Sequence, residues 1–163
     1  MNISYLLIGG NEGDREAWLE NARENIAEAA GPVLLRSSLY ETAAWGKTDQ
    51  ADFLNQALQI GTSLDALALM DTLLKIEEKM GRRRVEKWGA RRIDIDILFF
   101  NEEIIRLPQL VVPHPEIQNR RFALAPMEEI APLYIHPLLR KSIRVLLAEC
   151  PDKLDVKKIS SII

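Results

Sequence analysis

The segment Ile93-Asp94-Ile95-Asp96-Ile97-Leu98-Phe99-Phe100 constrains this chain more than any other. Isoleucine alternates with aspartate, and the run then becomes wholly apolar. Side chains two apart on a strand share a face, so the alternation fits an extended strand with both carboxylates on one side and the isoleucines on the other. The two aspartate Cα atoms then lie roughly 6.5–7 Å apart. Converging carboxylates at that spacing can hold magnesium, which takes one or two carboxylates together with waters and substrate phosphates. Taken alone, an Asp-x-Asp is more simply an amphipathic strand whose outer face is acidic.

The other elements can be placed around this strand. A short apolar run, Ile3 to Ile8, stops at Gly9-Gly10-Asn11 and reads as a buried strand. Asp14 is a cap for a helix with Trp18, Ala22, Ile26 and Ala29 at helical spacing, ended by Gly31-Pro32. A second strand is expected from Val33 to Trp45 and a third from Phe53 to Gly61. Ser63 or Asp65 then caps a second helix with Leu67, Met70, Leu73, Leu74 and Met80 inward, closed by Gly81. The resulting order predicts an α+β fold with a ferredoxin-like β-α-β-β-α-β core, an antiparallel sheet with helices on one face. Beyond Phe100 a small hairpin is expected near Ile104-Ile105, then an irregular path through Pro108, Pro113, Pro115, Pro126, Pro132 and Pro137. A last helix is expected over Leu138–Cys150.

Bulk properties narrow the class. At 163 residues, 47% apolar and 28% charged, the chain is expected to form a single domain over residues 1–163. A net charge of -3 argues against a nucleic-acid partner. A single cysteine, Cys150, forms no internal disulfide, and no window approaches the roughly 20 apolar residues of a membrane span. The opening Met1-Asn2-Ile3-Ser4-Tyr5 lacks the basic start of a signal peptide. A cytoplasmic protein without a membrane or obligate protein partner is expected.

The stretch before the acidic strand raises the interest of its aspartates. Arg82, Arg83, Arg84, Lys87, Arg91 and Arg92 stand against Glu86 alone, giving +5, so the remainder of a chain of net charge -3 carries -8. Concentrated cation beside a metal-type acidic pair suits a polyphosphate, whose oxygens arginine forks bind in paired hydrogen bonds. The segment Gly9-Gly10-Asn11-Glu12-Gly13-Asp14 is neither a P-loop nor a dinucleotide fingerprint. Any nucleotide must therefore be held by side chains and metal. Glu77, on the inner stripe of the second helix, needs a partner, and a following arginine is the obvious one. His114, between Pro113 and Pro115 and near Asn119, Arg120 and Phe122, is rigidly presented and within reach of a nucleotide. Phe53 and Asn55 share a strand face, where an amide can meet the polar edge of a flat heterocycle and the ring can stack on it.

These residues together resemble the 6-hydroxymethyl-7,8-dihydropterin pyrophosphokinase family of folate biosynthesis. The resemblance runs from Ile8-Gly9-Gly10-Asn11 through Tyr40-Glu41-Thr42, Phe53-Leu54-Asn55, Glu77 and Gly81-Arg82. It continues through Trp88-Gly89-Ala90-Arg91, Asp94-Ile95-Asp96-Ile97, Val112-Pro113-His114 and Asn119-Arg120-Arg121-Phe122 to Ile130-Ala131-Pro132. It implies transfer of pyrophosphate from ATP to the pterin hydroxymethyl oxygen, releasing AMP, with two Mg²⁺ ions on Asp94 and Asp96. By the same resemblance Arg82 and Arg91 are catalytic, and Glu77, Arg84, Trp88, Arg91, Ile97, His114 and Arg120 lie at ATP. Thr42, Trp45, Phe53, Asn55 and Phe122 hold the pterin, stacked between Phe53 and Phe122. The chain departs from the family pattern at Gly10, Ala43, Ala44, Trp45 and Leu74, which bears on the pterin pocket and one nucleotide contact. The competing reading is a non-catalytic RNA-binding module of the same topology; it requires sheet aromatics in an RNP-type pattern and a basic face, and neither is found.

Overall fold

The computed structural model describes residues 1–43, 52–81 and 93–160. Its centre is β1 (Asn2–Gly10), whose residues from Ser4 onward are all buried. β1 pairs antiparallel with β4 (Phe53–Thr62) on one side and β5 (Asp94–Phe100) on the other. Continuous apolar character in β1 follows from this position, because both of its faces and both of its edges are covered. Beyond β4 come β2 (Val33–Arg36) and β3 (Leu39–Thr42), each antiparallel to a different half of β4. β8 (Val156–Ser160) pairs with β3 and completes the order β5-β1-β4-β3-β8, with β2 beside β4. A separate hairpin joins β6 (Ile105–Leu107) to β7 (Leu110–Val112).

Alternation along the strands divides the interior into two cores. Leu6, Ile8, Leu54, Leu58, Ile60, Ile95 and Ile97 face α1 (Arg15–Ala29) and α2 (Ala66–Lys79). Tyr5, Leu7, Ala57, Leu98 and Phe99 face α3 (Arg121–Ile130) and α4 (Ile143–Glu149). The consecutive residues Leu98 and Phe99 join the same core because the β1–β5 register shifts beside them. Asp14 accepts from the Ala17 amide at 3.1 Å and starts α1, and Asp65 does the same for Ala68 at 2.8 Å in α2. Gly81, at φ 81°, follows the last turn of α2 in a left-handed conformation that a residue with a Cβ adopts only at a cost.

Several expectations need correction. Helices cover both faces of the sheet, not one. The strand expected over Val33–Trp45 breaks after Arg36, where Ser37 bonds across to Ala57 through its N–H and its hydroxyl, while the Ser38 N–H turns to Glu129 on α3. On α1 the buried stripe is Leu19, Ala22 and Ile26; Trp18 is half-buried and Ala29 exposed. On α2 it is Ala66, Leu69, Leu73, Ile76 and Glu77, whereas Leu67 and Leu74 are exposed. The proline-rich stretch contains α3, which tolerates Pro126 although that residue cannot donate to the Phe122 carbonyl. Burial of Ala123, Leu124, Pro126 and Met127 and a bond from the Arg121 N–H to Asp152 hold it in place. The last helix is shorter than expected, starting at the Ser142 cap, and β8 was not anticipated.

The rotated α2 stripe gives a direct test. Leu69→Ala empties a fully buried site and is expected to cost about 2–5 kcal/mol in urea unfolding, against less than about 1 kcal/mol for Leu67→Ala. Equal losses would contradict the packing.

Candidate active site

Register places the chemistry. Asp94 on β5 lies opposite Gly9 on β1, Gly9 opposite Asn55 on β4, Asn55 opposite Tyr40 on β3, and Tyr40 opposite Lys158 on β8. Laterally paired residues project to one side, so this row runs across the face that also carries α3. Asp94 and Asn55 are two strands apart, roughly 9.5 Å. The absence of a side chain at Gly9 keeps the floor between them low: a Cβ there would overlap Asn55 Oδ1. Asp96 follows on the same face, opposite Leu7. Asp94 and Asp96 are both half-buried while Ile95 and Ile97 are buried, as the alternation requires.

On the β4 side, Phe53 and Asn55 share the face, with Thr42 paired to Phe53. Asn55 is buried, and so is Thr42, whose Oγ1 is the buried side-chain polar atom without a hydrogen-bond partner among the described residues. A buried hydroxyl in that condition costs stability unless a ligand satisfies it. Phe122, near the start of α3, packs against the core on this same face, and the Arg120 guanidinium stands 5.8 Å from its ring centroid.

On the β5 side lies a cleft of about 450 Å³ around the edge strand. It collects Glu77 from α2, Asp94, Asp96 and Ile97 from β5, and His114 and Arg120 from the segment after the hairpin. Backbone groups of β5 are tied down here: the Ile95 N–H donates to Glu77 Oε2 at 2.6 Å, and the Leu98 carbonyl accepts from the His114 N–H at 3.0 Å. Glu77 thus fixes the strand that carries the acidic pair; the arginines suggested as its partners lie outside the described residues. His114 Nδ1 accepts from the Glu116 N–H at 3.2 Å, so the neutral ring carries its proton on Nε2. Burial, followed by the Arg120 charge, lowers the His114 pKa to about 4 and keeps the ring neutral at physiological pH.

Six of the expected residues therefore meet in the cleft, and Thr42, Phe53, Asn55 and Phe122 are gathered beyond Gly9. Trp45, Arg82, Arg84, Trp88 and Arg91, with Ala44, fall outside the described residues. Sequence reasoning missed Gly9 as a spacer, although glycine in a strand interior is a signal for close approach. It also missed Gln109, Leu110 and Val111, the hairpin wall of the cleft. His136 is buried and accepts two backbone N–H groups from Leu138 and Leu139, so it serves the fold. The donor set of Asp94 and Asp96 is all oxygen and fits magnesium; among the described residues no third Asp, Glu, His or Cys joins it, which leaves positions for water and phosphate.

An antiparallel α+β scaffold with an acidic pair on its edge strand, beside a cleft holding a neutral histidine and an arginine, is suited to a metal-bound phosphate. Comparison with known proteins defines the kind of protein. The family model for 7,8-dihydro-6-hydroxymethylpterin-pyrophosphokinase (HPPK) matches residues 5–132. A 2-amino-4-hydroxy-6-hydroxymethyldihydropteridine pyrophosphokinase of Bacillus subtilis is 45% identical over 130 residues, covering 79% of this chain and 78% of that protein. The protein of the same name from Aquifex aeolicus is 41% identical over 144 residues, covering 88% and 89%. The chain belongs to the HPPK family. Among solved structures, wild-type HPPK-DHPS of Plasmodium falciparum with SDX-DHP shares the fold at a TM-score of 0.74 and 21% identity, over 91% of this chain and 43% of that longer one.

His114 gives a pH signature. Its folded pKa lies below the unfolded value of 6.5, so between about pH 6.5 and 4 the unfolded chain binds more protons. Stability from the neutral ring is present above that window and lost as pH falls through it. Thermal melts are expected to show a smaller drop across the window for His114→Gln than for the unchanged protein; parallel curves would contradict the burial of the ring.

Proposed function

We propose that this chain transfers the terminal pyrophosphoryl group of ATP to the hydroxymethyl oxygen of 6-hydroxymethyl-7,8-dihydropterin, releasing AMP, as the enzyme of one step of folate biosynthesis. Family membership supports the reaction. The single observation that carries the site assignment is the row Asp94–Gly9–Asn55, which puts an acidic pair and a heterocycle-type carboxamide on one face across a glycine. RNA binding finds no support, since this face is acidic at one end and closed by α3 at the other.

In this reading ATP occupies the cleft along β5, with its phosphates toward Asp94 and Asp96. The neutral His114 donates from Nε2, and Arg120 supplies positive charge. Asp94 and Asp96 hold two Mg²⁺ ions, which when bound neutralise phosphate oxygens and make the acceptor hydroxyl more acidic. The pterin lies over Gly9, its polar edge on Asn55 and Thr42 and its faces between Phe53 and Phe122. Thr42 Oγ1 then gains the partner it lacks among the described residues. Arg82, Arg84, Trp88 and Arg91 complete the phosphate contacts, and Trp45 the pterin pocket. Orientation and charge neutralisation supply most of the acceleration in such transfers, so no covalent nucleophile is needed.

The core belongs to the ferredoxin-like type, supported by the order β5-β1-β4 with β2 and β3 beyond. Residues 1–163 act as one domain. No described helix is long and apolar enough to cross a membrane, and use of ATP together with a lone cysteine supports a cytoplasmic location.

Incubation with ATP, Mg²⁺ and the pterin alcohol is expected to yield AMP, and only when the pterin is present. ADP, or no turnover by folded protein, would overturn the reading. Asp96→Ala should lower kcat by roughly a thousandfold or more with little change in melting temperature; a rate near that of the unchanged protein would remove the metal assignment.

A further inference from the structure

Glu129, near the end of α3, has no role in the site described so far, yet one carboxylate there gathers three donors. Tyr40 Oη donates to its Oε1 at 2.6 Å. The Ser38 N–H donates to both oxygens at 3.1 Å, and Ser38 Oγ donates to Oε2 at 3.0 Å. Bonds to a charged acceptor are shorter and stronger than neutral ones. Burial pushes the Glu129 carboxyl up, but the bonds from Tyr40 and Ser38, with the Lys158 charge behind them, outweigh it and leave it below the usual carboxylate range. The Tyr40 phenol is pushed well above its ordinary value, by burial first and then by the Glu129 bond. At neutral pH the polarity of the contact is therefore fixed: a protonated phenol gives to an ionised carboxylate.

The anchoring points matter because of what shares their elements. Phe122 lies seven residues before Glu129, two helical turns and roughly 10.5 Å along the same side of α3. Thr42 lies two residues after Tyr40 on the same face of β3, and Asn55 is paired directly to Tyr40. The helix between Phe122 and Glu129 lacks one backbone bond at Pro126, so polar anchors at its ends add to the burial that holds it. One end is held by Asp152 through the Arg121 N–H, the other by Glu129. Apolar burial of Ala123, Leu124 and Met127 presses α3 onto the sheet, and the directional bonds to Glu129 add a fixed position to that non-directional contact.

We propose that Glu129 is a positioning residue for the flat substrate: by tying α3 to β3 it sets the slot between the Phe122 ring and the Thr42–Asn55 floor. The inference rests on the pterin reading of that slot. It separates one substrate from the other, because the Glu129 end of α3 bears on the β3–β4 half of the face, while the Arg121 end nearest the cleft along β5 is held separately by Asp152.

The test uses the full chain and steady-state AMP release, with the pterin alcohol and ATP varied in turn. Glu129→Ala is expected to raise KM for the pterin about tenfold while KM for ATP stays within about twofold. Glu129→Gln, which keeps an acceptor oxygen for Tyr40, should recover most of that loss. Tyr40→Phe removes one donor and leaves the Ser38 bonds, so it should show the same split at smaller size with little change in melting temperature. An unchanged pterin KM in folded Glu129→Ala, or a parallel rise in both KM values, would overturn the inference. If Glu129→Ala does not fold, Tyr40→Phe decides, and equal KM values to the unchanged protein would overturn it. Absence of AMP from the unchanged protein would instead remove the pterin reading, and this inference with it.

Discussion

Gly9 sits in the middle strand of the sheet with Asp94 on one side and Asn55 on the other, and the close approach of the Asn55 side chain depends on its having no side chain. Any Cβ at that position would push into the Asn55 carboxamide. Strands are about 4.8 Å apart, so the spacing of the Asp94 and Asn55 positions is fixed by the backbone rather than by flexible side chains. In the proposed reaction two substrates must meet in line, and a rigid floor suits that. The cost is a glycine in a buried strand, offset by the pairing of β1 along both edges and by the apolar side chains that flank it.

The edges of the site are fixed by polar groups aimed at backbone. Glu77 reaches from α2 to the Ile95 amide, and the His114 amide reaches the Leu98 carbonyl, so the edge strand carrying Asp94 and Asp96 is held from outside the sheet. Across the face, Glu129 takes Ser38 and Tyr40 where β2 gives way to β3. An edge strand is otherwise a place of fraying and mispairing. Here the groups that satisfy it also line the cleft, so stability of the strand and presentation of its carboxylates have the same cause.

Much of this was legible in the residues. The Ile-Asp alternation over 93–97 correctly gave the strand and the side of the carboxylates, because period-two patterning needs no tertiary information. Asp14 and Asp65 were legible as caps for the same local reason. The two-residue spacing of Phe53 and Asn55 correctly put them together. What failed depended on contacts distant in sequence. Leu67 and Leu74 fit an apolar stripe as well as Leu69 and Ile76 do, and the direction from which the sheet approaches α2 decides between them. The prolines from Pro108 to Pro137 argued against a helix, yet α3 forms because its apolar side is buried on the second face of the sheet. A last helix was expected over Leu138–Cys150, but nothing local showed that it and α3 would pack on that second face, and β8 had no signal at all. The alignment of Asp94 with Asn55 across Gly9 is a matter of register with segments 39 and 85 residues away from Asp94, which no local pattern records.

A crystal structure of the complex with Mn²⁺, a non-cleavable ATP analogue and the pterin alcohol tests the central claim most directly. The account predicts anomalous density between the Asp94 and Asp96 carboxylates, and the pterin over Gly9 with its polar edge on Asn55. Metal density away from that pair, or a pterin bound on the α1–α2 face of the sheet, would contradict it.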